Sequence, residues 1–270
     1  MLSCRQQLER HYGVREGMAL YRIVMEECFA LSQADILLGK DSEISRSDKC
    51  RLREITGQLL KNVPLQYILG YADFCGHRFV VRPGCLIPRP ETEDLVSEIA
   101  GLDGRGSLLE IGTGSGCIAI SLALEGFDVT ATDVSAEALE IAGQNAVRLG
   151  AKVEFVHENI LHPVPSDRVW DVIVSNPPYV MCSEKDGMDA NVLEYEPHLA
   201  LFVPDDDPLL FYRHISGYAL RHLSQGGRLF FEINHLLAEE TAGLVASAGF
   251  RDVCLKSDRY EKKRFLCACV

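Results

Sequence analysis

Ser107-Leu108-Leu109-Glu110-Ile111 runs into Gly112-Thr113-Gly114-Ser115-Gly116 and then into Cys117-Ile118-Ala119-Ile120-Ser121-Leu122-Ala123-Leu124, and this stretch decides the fold. The first five residues are a short apolar run suited to a buried strand, and the last eight have helical character. Strand, glycine turn and helix in that order open a nucleotide-binding α/β unit. The spacing is not that of a dinucleotide turn, because the third glycine of G-x-G-x-x-G would fall on Cys117. Nor does a Gly-Lys-Ser/Thr follow, as a P-loop requires. Glycines here let the backbone approach a ligand closely, while Glu110 and the lack of a nearby Lys or Arg disfavour a phosphate. A sulfonium nucleoside suits the turn better.

Working outward, Asp128-Val129-Thr130-Ala131-Thr132-Asp133 alternates as a strand. It ends in a carboxylate about 20 residues beyond the first glycine, the spacing at which an acid hydrogen-bonds both hydroxyls of a ribose. Asp133 is the candidate ribose ligand; its alternative role is to cap a helix starting near Ser135. Ser135 to Gly150 is Ala/Leu-rich with Gly at its end, and Lys152 to His157 is the next strand. At the tip of that strand, Glu158-Asn159 with Ile160 is where an adenine amino group would be read, Asn159 accepting through its side-chain carbonyl.

Farther along, the apolar run Val172-Ile173-Val174-Ser175 leads into Asn176-Pro177-Pro178-Tyr179. Asn176 offers a side-chain carbonyl and Pro177 a backbone carbonyl with no competing N–H, so together they can hold one planar amino group. Tyr179 adds an aromatic face. Asn-Pro can also simply start a turn, and the tetrapeptide alone leaves both readings open.

Taken in order, Glu-x-Gly-x-Gly-x-Gly, the ribose Asp and Asn-Pro-Pro-Tyr resemble an S-adenosylmethionine-dependent methyltransferase acting on a planar nitrogen. The stretch Pro64-Leu65-Gln66-Tyr67-Ile68-Leu69-Gly70, Phe74, and Ile87-Pro88-Arg89-Pro90-Glu91-Thr92-Glu93 closely resembles the linker of the HemK family, glutamine methyltransferases of peptide chain release factors. The match continues through Glu196-Pro197, Gly226-Gly227, Glu232, Asp258 and Arg264, so it covers essentially the whole chain. Asn159 stands where relatives usually carry Asp, and Glu91 where Asp is also common.

The resemblance implies a seven-stranded, doubly wound, Rossmann-like α/β sheet whose last two strands form an antiparallel hairpin. It implies a cofactor site at Glu110, Gly112, Thr113, Gly114, Ser115, Gly116, Asp133, Asn159, Ile160 and Asn176. Asn176, Pro177 and Tyr179 are the expected catalytic residues. Pro178, Arg89 and Glu196 join them in binding substrate, and Arg89 to Glu93 close the cofactor's methionine end. The expected organisation is a helical docking domain over 1–70, a hairpin linker over 71–93 and a catalytic domain over 94–270. The expected partner is a release factor, methylated on the Gln of Gly-Gly-Gln, with S-adenosylhomocysteine as by-product and no metal. A ribosomal protein, or less readily an adenine amino group of nucleic acid, is the alternative acceptor.

Composition is consistent with these expectations. With 270 residues, 47% of them hydrophobic and 24% charged, the chain can bury more than one core. Residues 1–75 are balanced, ten basic against ten acidic, so the whole net charge of −12 falls on the remainder. A nucleic-acid enzyme gathers basic residues on its active face, which speaks against the adenine alternative and against direct nucleic-acid binding. No signal-peptide pattern or apolar run of about 18 residues occurs, so no membrane partner is expected and cytoplasm is the default location. The ten cysteines are scattered without a C-x-x-C pair and read as packed thiols; Cys267-Ala268-Cys269 has no obvious His partner for a metal.

The rest is read from periodicity. Ala19 to Leu31 and Glu43 to Leu60 carry helical spacing, and residues 74–82 read as a hairpin. From Asp94 onward a helix to Ala100 precedes strands at 107–111, 128–132, 152–157, 171–175, 228–233, 251–256 and 264–269. Val180 to Pro204, rich in acids and turn residues, is long for a connection and is expected to form a lid.

Overall fold

A computed structural model of the chain describes residues 2–270. They form two compact units: residues up to Tyr71 together with Asp189–Tyr195, and Ala72–Met188 together with Glu196–Val270. In the first, α1 (Cys4–Tyr12), α2 (Val14–Phe29), α3 (Gln33–Leu37), α4 (Arg46–Leu59) and α5 (Leu65–Leu69) enclose Leu8, Tyr21, Val24, Met25, Leu52, Ile55 and Leu59. Ser3, Ser32 and Ser45 cap α1, α3 and α4 by accepting from the third helical N–H. Helices α1 and α2 meet at Gly17, where a Cβ would lie 2.5 Å from the backbone of Leu8 and Glu9; only glycine fits there. The segment Asp189–Tyr195, including α9 (Ala190–Tyr195), belongs to this unit, and Tyr195 donates its hydroxyl to the Lys61 carbonyl at 2.7 Å.

The second unit opens within β1 (Tyr71–Phe74), whose first residue closes the helical unit and which pairs in a hairpin with β2 (His77–Val80). Its two-residue turn, Cys75-Gly76, has positive φ at both positions (47° and 75°), the twist a tight hairpin requires. Then follow α6 (Thr92–Ala100), β3 (Ser107–Ile111), α7 (Cys117–Leu124), β4 (Asp128–Asp133), α8 (Ala136–Leu149), β5 (Val153–His157) and β6 (Trp170–Ser175). After β7 (Val180–Met181), α10 (His198–Leu201) and β8 (Phe202–Val203), the unit ends with α11 (Leu210–His222), β9 (Leu223–Glu232), α12 (Ala238–Ala248), β10 (Arg251–Ser257) and β11 (Lys263–Cys269).

The main sheet has seven strands in the order β10-β11-β9-β6-β3-β4-β5, with only β11 antiparallel to its neighbours. Alternation along each central strand feeds two cores. Leu108, Val172, Val174, Phe230 and Phe265 face α6 and α7, while Leu109, Ile173, Leu229, Phe231 and Leu266 face α11 and α12. Order reverses at β3: the chain steps outward to β4 and β5, then returns to β6 on the other flank. Ligands bind beyond the carboxyl ends of strands at such a switch point.

Two regions carry more secondary structure than the sequence signals. The long connection over 180–204 folds into a 3-10 turn (Cys182–Gly187), two short helices and the parallel pair β7–β8. The helical region is richer than its periodicity signalled, since α1, α3 and α5 are too short for a repeating apolar stripe to stand out.

Candidate active site

The four neighbouring parallel strands β6, β3, β4 and β5 deliver the residues at their C-terminal ends to one cavity. Glu110, Gly112, Thr113, Gly114 and Ser115 arrive from β3, Asp133 from β4, Glu158, Asn159 and Ile160 from β5, and Asn176, Pro177 and Pro178 from β6. Leu86, Pro88, Arg89 and Thr92 add a wall, and Pro197, Leu199 and Ala200 another.

The glycine turn holds itself together with its own amides. The N–H groups of Gly112 and Thr113 bond the Thr132 carbonyl at 2.9 and 3.0 Å, Gly116 N–H bonds Thr113 O at 2.9 Å, and Gly114 N–H bonds Asp133 Oδ2 at 2.8 Å. Those amides are committed inside the protein, so the turn is not a phosphate cradle; it is a surface a ligand can lie against. Gly112 and Gly114 have φ of 79° and 56°, and a Cβ on either would meet no protein atom within 4 Å.

Glu110 anchors the turn from below. It is 1% exposed, and its Oε2 accepts from Thr113 Oγ1 at 2.5 Å and from Ala119 N–H at 3.0 Å. Burial pushes its carboxyl up to about 8 despite those two donors. Asp133 Oδ1 accepts from Ser135 N–H at 2.8 Å, while Ser135 itself caps α8, so the cap alternative for Asp133 falls away. Each carboxylate oxygen retains a second lone pair for a ligand hydroxyl. Burial raises the Asp133 carboxyl, and the Ser135 and Gly114 amides pull it back.

Asn159 is turned partly inward on itself: its Oδ1 accepts from Leu161 N–H at 3.0 Å. At the end of β6, Ser175 Oγ bonds Ile111 O at 2.6 Å and so fixes the point where the chain leaves the sheet. No hydrogen bond among the described residues engages the Asn176 side chain or the Pro177 carbonyl.

Three expected site residues do not line the cavity. Gly116 (φ 81°) starts α7, and a Cβ there would strike Ile120 Cδ1 at 2.8 Å and Ala142 Cβ at 3.0 Å, so its glycine serves helix packing. Tyr179 turns away: its ring packs on the second core and its hydroxyl donates to Glu232 Oε1 at 3.0 Å. Burial pushes its phenol well up. Glu196, 4% exposed, accepts from Ile87 N–H at 3.1 Å and from Arg89 Nη2 at 2.7 Å, holding the cavity's one lining arginine. Of the expected closing segment, Arg89 and Thr92 reach the cavity. Glu93 instead accepts from Cys75 N–H at 2.9 Å in the hairpin turn, and Asp94 pairs with Arg259 at 2.7 Å.

Comparison with known proteins gives this geometry a family. Residues 91–193 match the Methyltransferase small domain, and residues 3–70 match the PrmC N-terminal domain. The chain is 45% identical to a release factor glutamine methyltransferase of Bacteroides thetaiotaomicron, over 98% of this chain and 96% of the relative. The chain belongs to the release factor glutamine methyltransferase family. A second relative of that name, from Flavobacterium psychrophilum, is 43% identical over 97% of this chain and 94% of its own. A solved methyltransferase of Pyrococcus furiosus has the same fold, with a TM-score of 0.55 at 22% identity over 79% of this chain and 96% of that one.

Sequence reasoning misses some of the residues that hold a site of this family together. Asn145 in α8 is fully buried; its Oδ1 accepts from Val80 N–H at 2.7 Å, and its Nδ2 donates to Val80 O at 3.0 Å and Ser115 O at 2.9 Å. Asn234 donates to Tyr179 O at 3.1 Å and Glu184 Oε2 at 2.9 Å. A lone Asn in an Ala/Leu-rich helix carries no sequence signal for such a role. Asn234 had one faint signal, a polar residue directly after the buried Ile233 that follows β9.

Proposed function

We propose that the chain transfers a methyl group from S-adenosylmethionine to the side-chain amide nitrogen of the Gln in a release factor's Gly-Gly-Gln, and that its first 70 residues serve to dock that partner. What carries the reading is the open pair of acceptors, Asn176 Oδ1 and Pro177 O, at the rim of the cavity that also contains Asp133 and the glycine turn.

The residues present fit S-adenosylmethionine. Space is reserved over Gly112 and Gly114, Asp133 can accept from ribose hydroxyls, and Ile160 with Leu161 gives an apolar flank for a flat base. Arg89 lines the cavity and can complement the carboxylate of an amino-acid end. The cofactor, when bound, supplies a methyl group activated by a sulfonium.

The chain's own task is to prepare the acceptor. An amide nitrogen is a poor nucleophile because its lone pair is delocalised into the carbonyl. Two carbonyl oxygens accepting both amide hydrogens fix the plane of the group and favour charge on nitrogen. The pair cannot bind a carboxylate in that way, which supports Gln over Glu as acceptor. The nitrogen becomes acidic as it is alkylated and sheds its proton to water, so neither a strong base nor a metal is required. The cytoplasm, where release factors meet the ribosome, is the compartment this reading assigns.

The test uses the full-length chain, methyl-labelled S-adenosylmethionine and an intact release factor. Label should appear on the Gly-Gly-Gln glutamine and vanish when that Gln is replaced by Glu. Preferential labelling of ribosomal proteins or nucleic acid from parallel pools would overturn the reading.

A further inference from the structure

Beyond Ser175 the catalytic tetrapeptide leaves the sheet, and side chains from other elements hold it. The centre of that support is Glu232, the last residue of β9, only 1% exposed. Its Oε1 accepts from the Tyr179 hydroxyl at 3.0 Å and its Oε2 from Thr92 Oγ1 at 2.6 Å. Thr92 begins α6 and lines the cavity; Tyr179 ends the tetrapeptide. One carboxylate therefore ties the loop bearing Asn176 to the wall formed by residues 86–92.

The surroundings brace it. Tyr212, fully buried, donates its hydroxyl to Glu232 O at 3.2 Å and accepts from Asn234 N–H at 3.3 Å. Asn234 Nδ2 holds Tyr179 O, and Glu184, which Asn234 also contacts, accepts from Met181 N–H at 2.8 Å. Arg264, fixed by Asp258 at 2.7 Å, places a cation close enough to favour the charged form of Glu232, against a burial that raises its carboxyl. Glu91 is a further charge acting on it, in the opposite sense to Arg264.

We infer that Glu232 is a positioning residue for methyl transfer: through the Tyr179 hydroxyl it sets the direction of the Asn176 and Pro177 acceptors, and through Thr92 it keeps them in register with the cavity wall. The inference rests on the proposed amide chemistry. Glu232 does not line the cavity, so it acts only through Tyr179 and Thr92. The residue type follows from the donors it serves. Two hydroxyls each seek an acceptor, and a carboxylate offers one oxygen to each, whereas Gln offers a single oxygen and an amino group that one hydroxyl must turn to accept.

The experiment compares Tyr179→Phe, Glu232→Leu, Glu232→Gln and the double variant Tyr179→Phe/Glu232→Leu in the full chain. Turnover and KM are measured on an intact release factor, with S-adenosylmethionine affinity from calorimetry. Misplacing the acceptor by about an ångström should lower kcat by roughly 10- to 100-fold in Tyr179→Phe and Glu232→Leu. Cofactor affinity should stay within about threefold. Glu232→Gln should recover much of the loss, and the double variant should be no slower than the worse single one, because both cut the same link. Unchanged kcat in a folded Tyr179→Phe, loss wholly in cofactor affinity, or multiplicative losses in the double variant would overturn the inference. If Glu232→Leu fails to fold, Tyr179→Phe still decides, since it keeps the ring and removes only the hydroxyl. A wild-type chain inactive on every release factor would instead sink the functional reading. Hydrogen exchange over Tyr179–Met181 then judges the link by itself: it should quicken in Tyr179→Phe, and unaltered exchange would overturn it.

Discussion

Asn176 and Asn159 are the same residue type in opposite situations. Asn176 has its amide free of internal hydrogen bonds at the cavity rim, so its carbonyl is available for an acceptor substrate. Asn176→Ala should therefore lower turnover on the order of 100-fold while calorimetry finds cofactor affinity little changed. Asn159 has given one lone pair of its single oxygen to Leu161 N–H, so one acceptor site remains beside an amino group that cannot accept from adenine. Aspartate would keep the turn and supply a second acceptor. Asn159→Asp should tighten S-adenosylmethionine binding by about 1 kcal/mol; no change would mean that backbone groups read the base. Glu110 gives the residue scale its pH dependence. Its folded-state carboxyl, near 8, lies above the ordinary value of 4.5, so the folded chain holds this proton more tightly than the unfolded one. The stability it contributes is full below about 4.5 and is lost as pH rises towards 8, at roughly 1.4 kcal/mol for each unit separating the two values. Glu110→Gln keeps an acceptor for Thr113 and Ala119 but removes that slope. Its melting temperature relative to wild type, measured without cofactor, should rise between pH 5 and pH 8, and a flat difference would show that Glu110 is already ionised in the folded chain.

Among the elements, strands were legible and their cross-ties were not. Leu108 to Ile111 and Val172 to Ser175 announce themselves as buried runs, and Gly112 to Gly116 announces the turn, because burial and backbone freedom leave marks on composition. Asn145 leaves none. It sits in α8, yet its amide pairs with both the N–H and the C=O of Val80, as a neighbouring strand would, and also holds Ser115 O beside the glycine turn. The same blindness explains Tyr179: spacing placed an aromatic beside the acceptor amide, whereas a carboxylate 53 residues away draws its hydroxyl into the core. Long-range hydrogen bonds are pairwise facts, and a single sequence carries no period that reveals them. Asn145→Ala should leave three polar groups of Val80 and Ser115 without partners. A loss of about 3 kcal/mol in denaturant unfolding is expected, together with weaker cofactor binding as the turn loosens. Unchanged stability would mean that water replaces the amide.

At the scale of the whole molecule, charge is divided unequally: the first 75 residues are neutral overall and the rest carries −12. Affinity for a partner protein comes mainly from a few well-packed contacts, while an extended loop entering a narrow site contributes orientation. If the helical unit grips the body of a release factor, deleting residues 2–70 should abolish activity on the intact partner and spare much of it on a short Gly-Gly-Gln peptide. The deletion has a side effect to control, because Asp189–Tyr195 packs with the helices that would be removed. Tyr195→Phe isolates it by cutting only the bond to Lys61 O. Near-normal activity of Tyr195→Phe on both substrates, alongside selective loss in the deletion, is the expected pattern for docking. Equal loss on protein and peptide would show instead that the helices support the catalytic unit's fold and leave partner choice to the cavity.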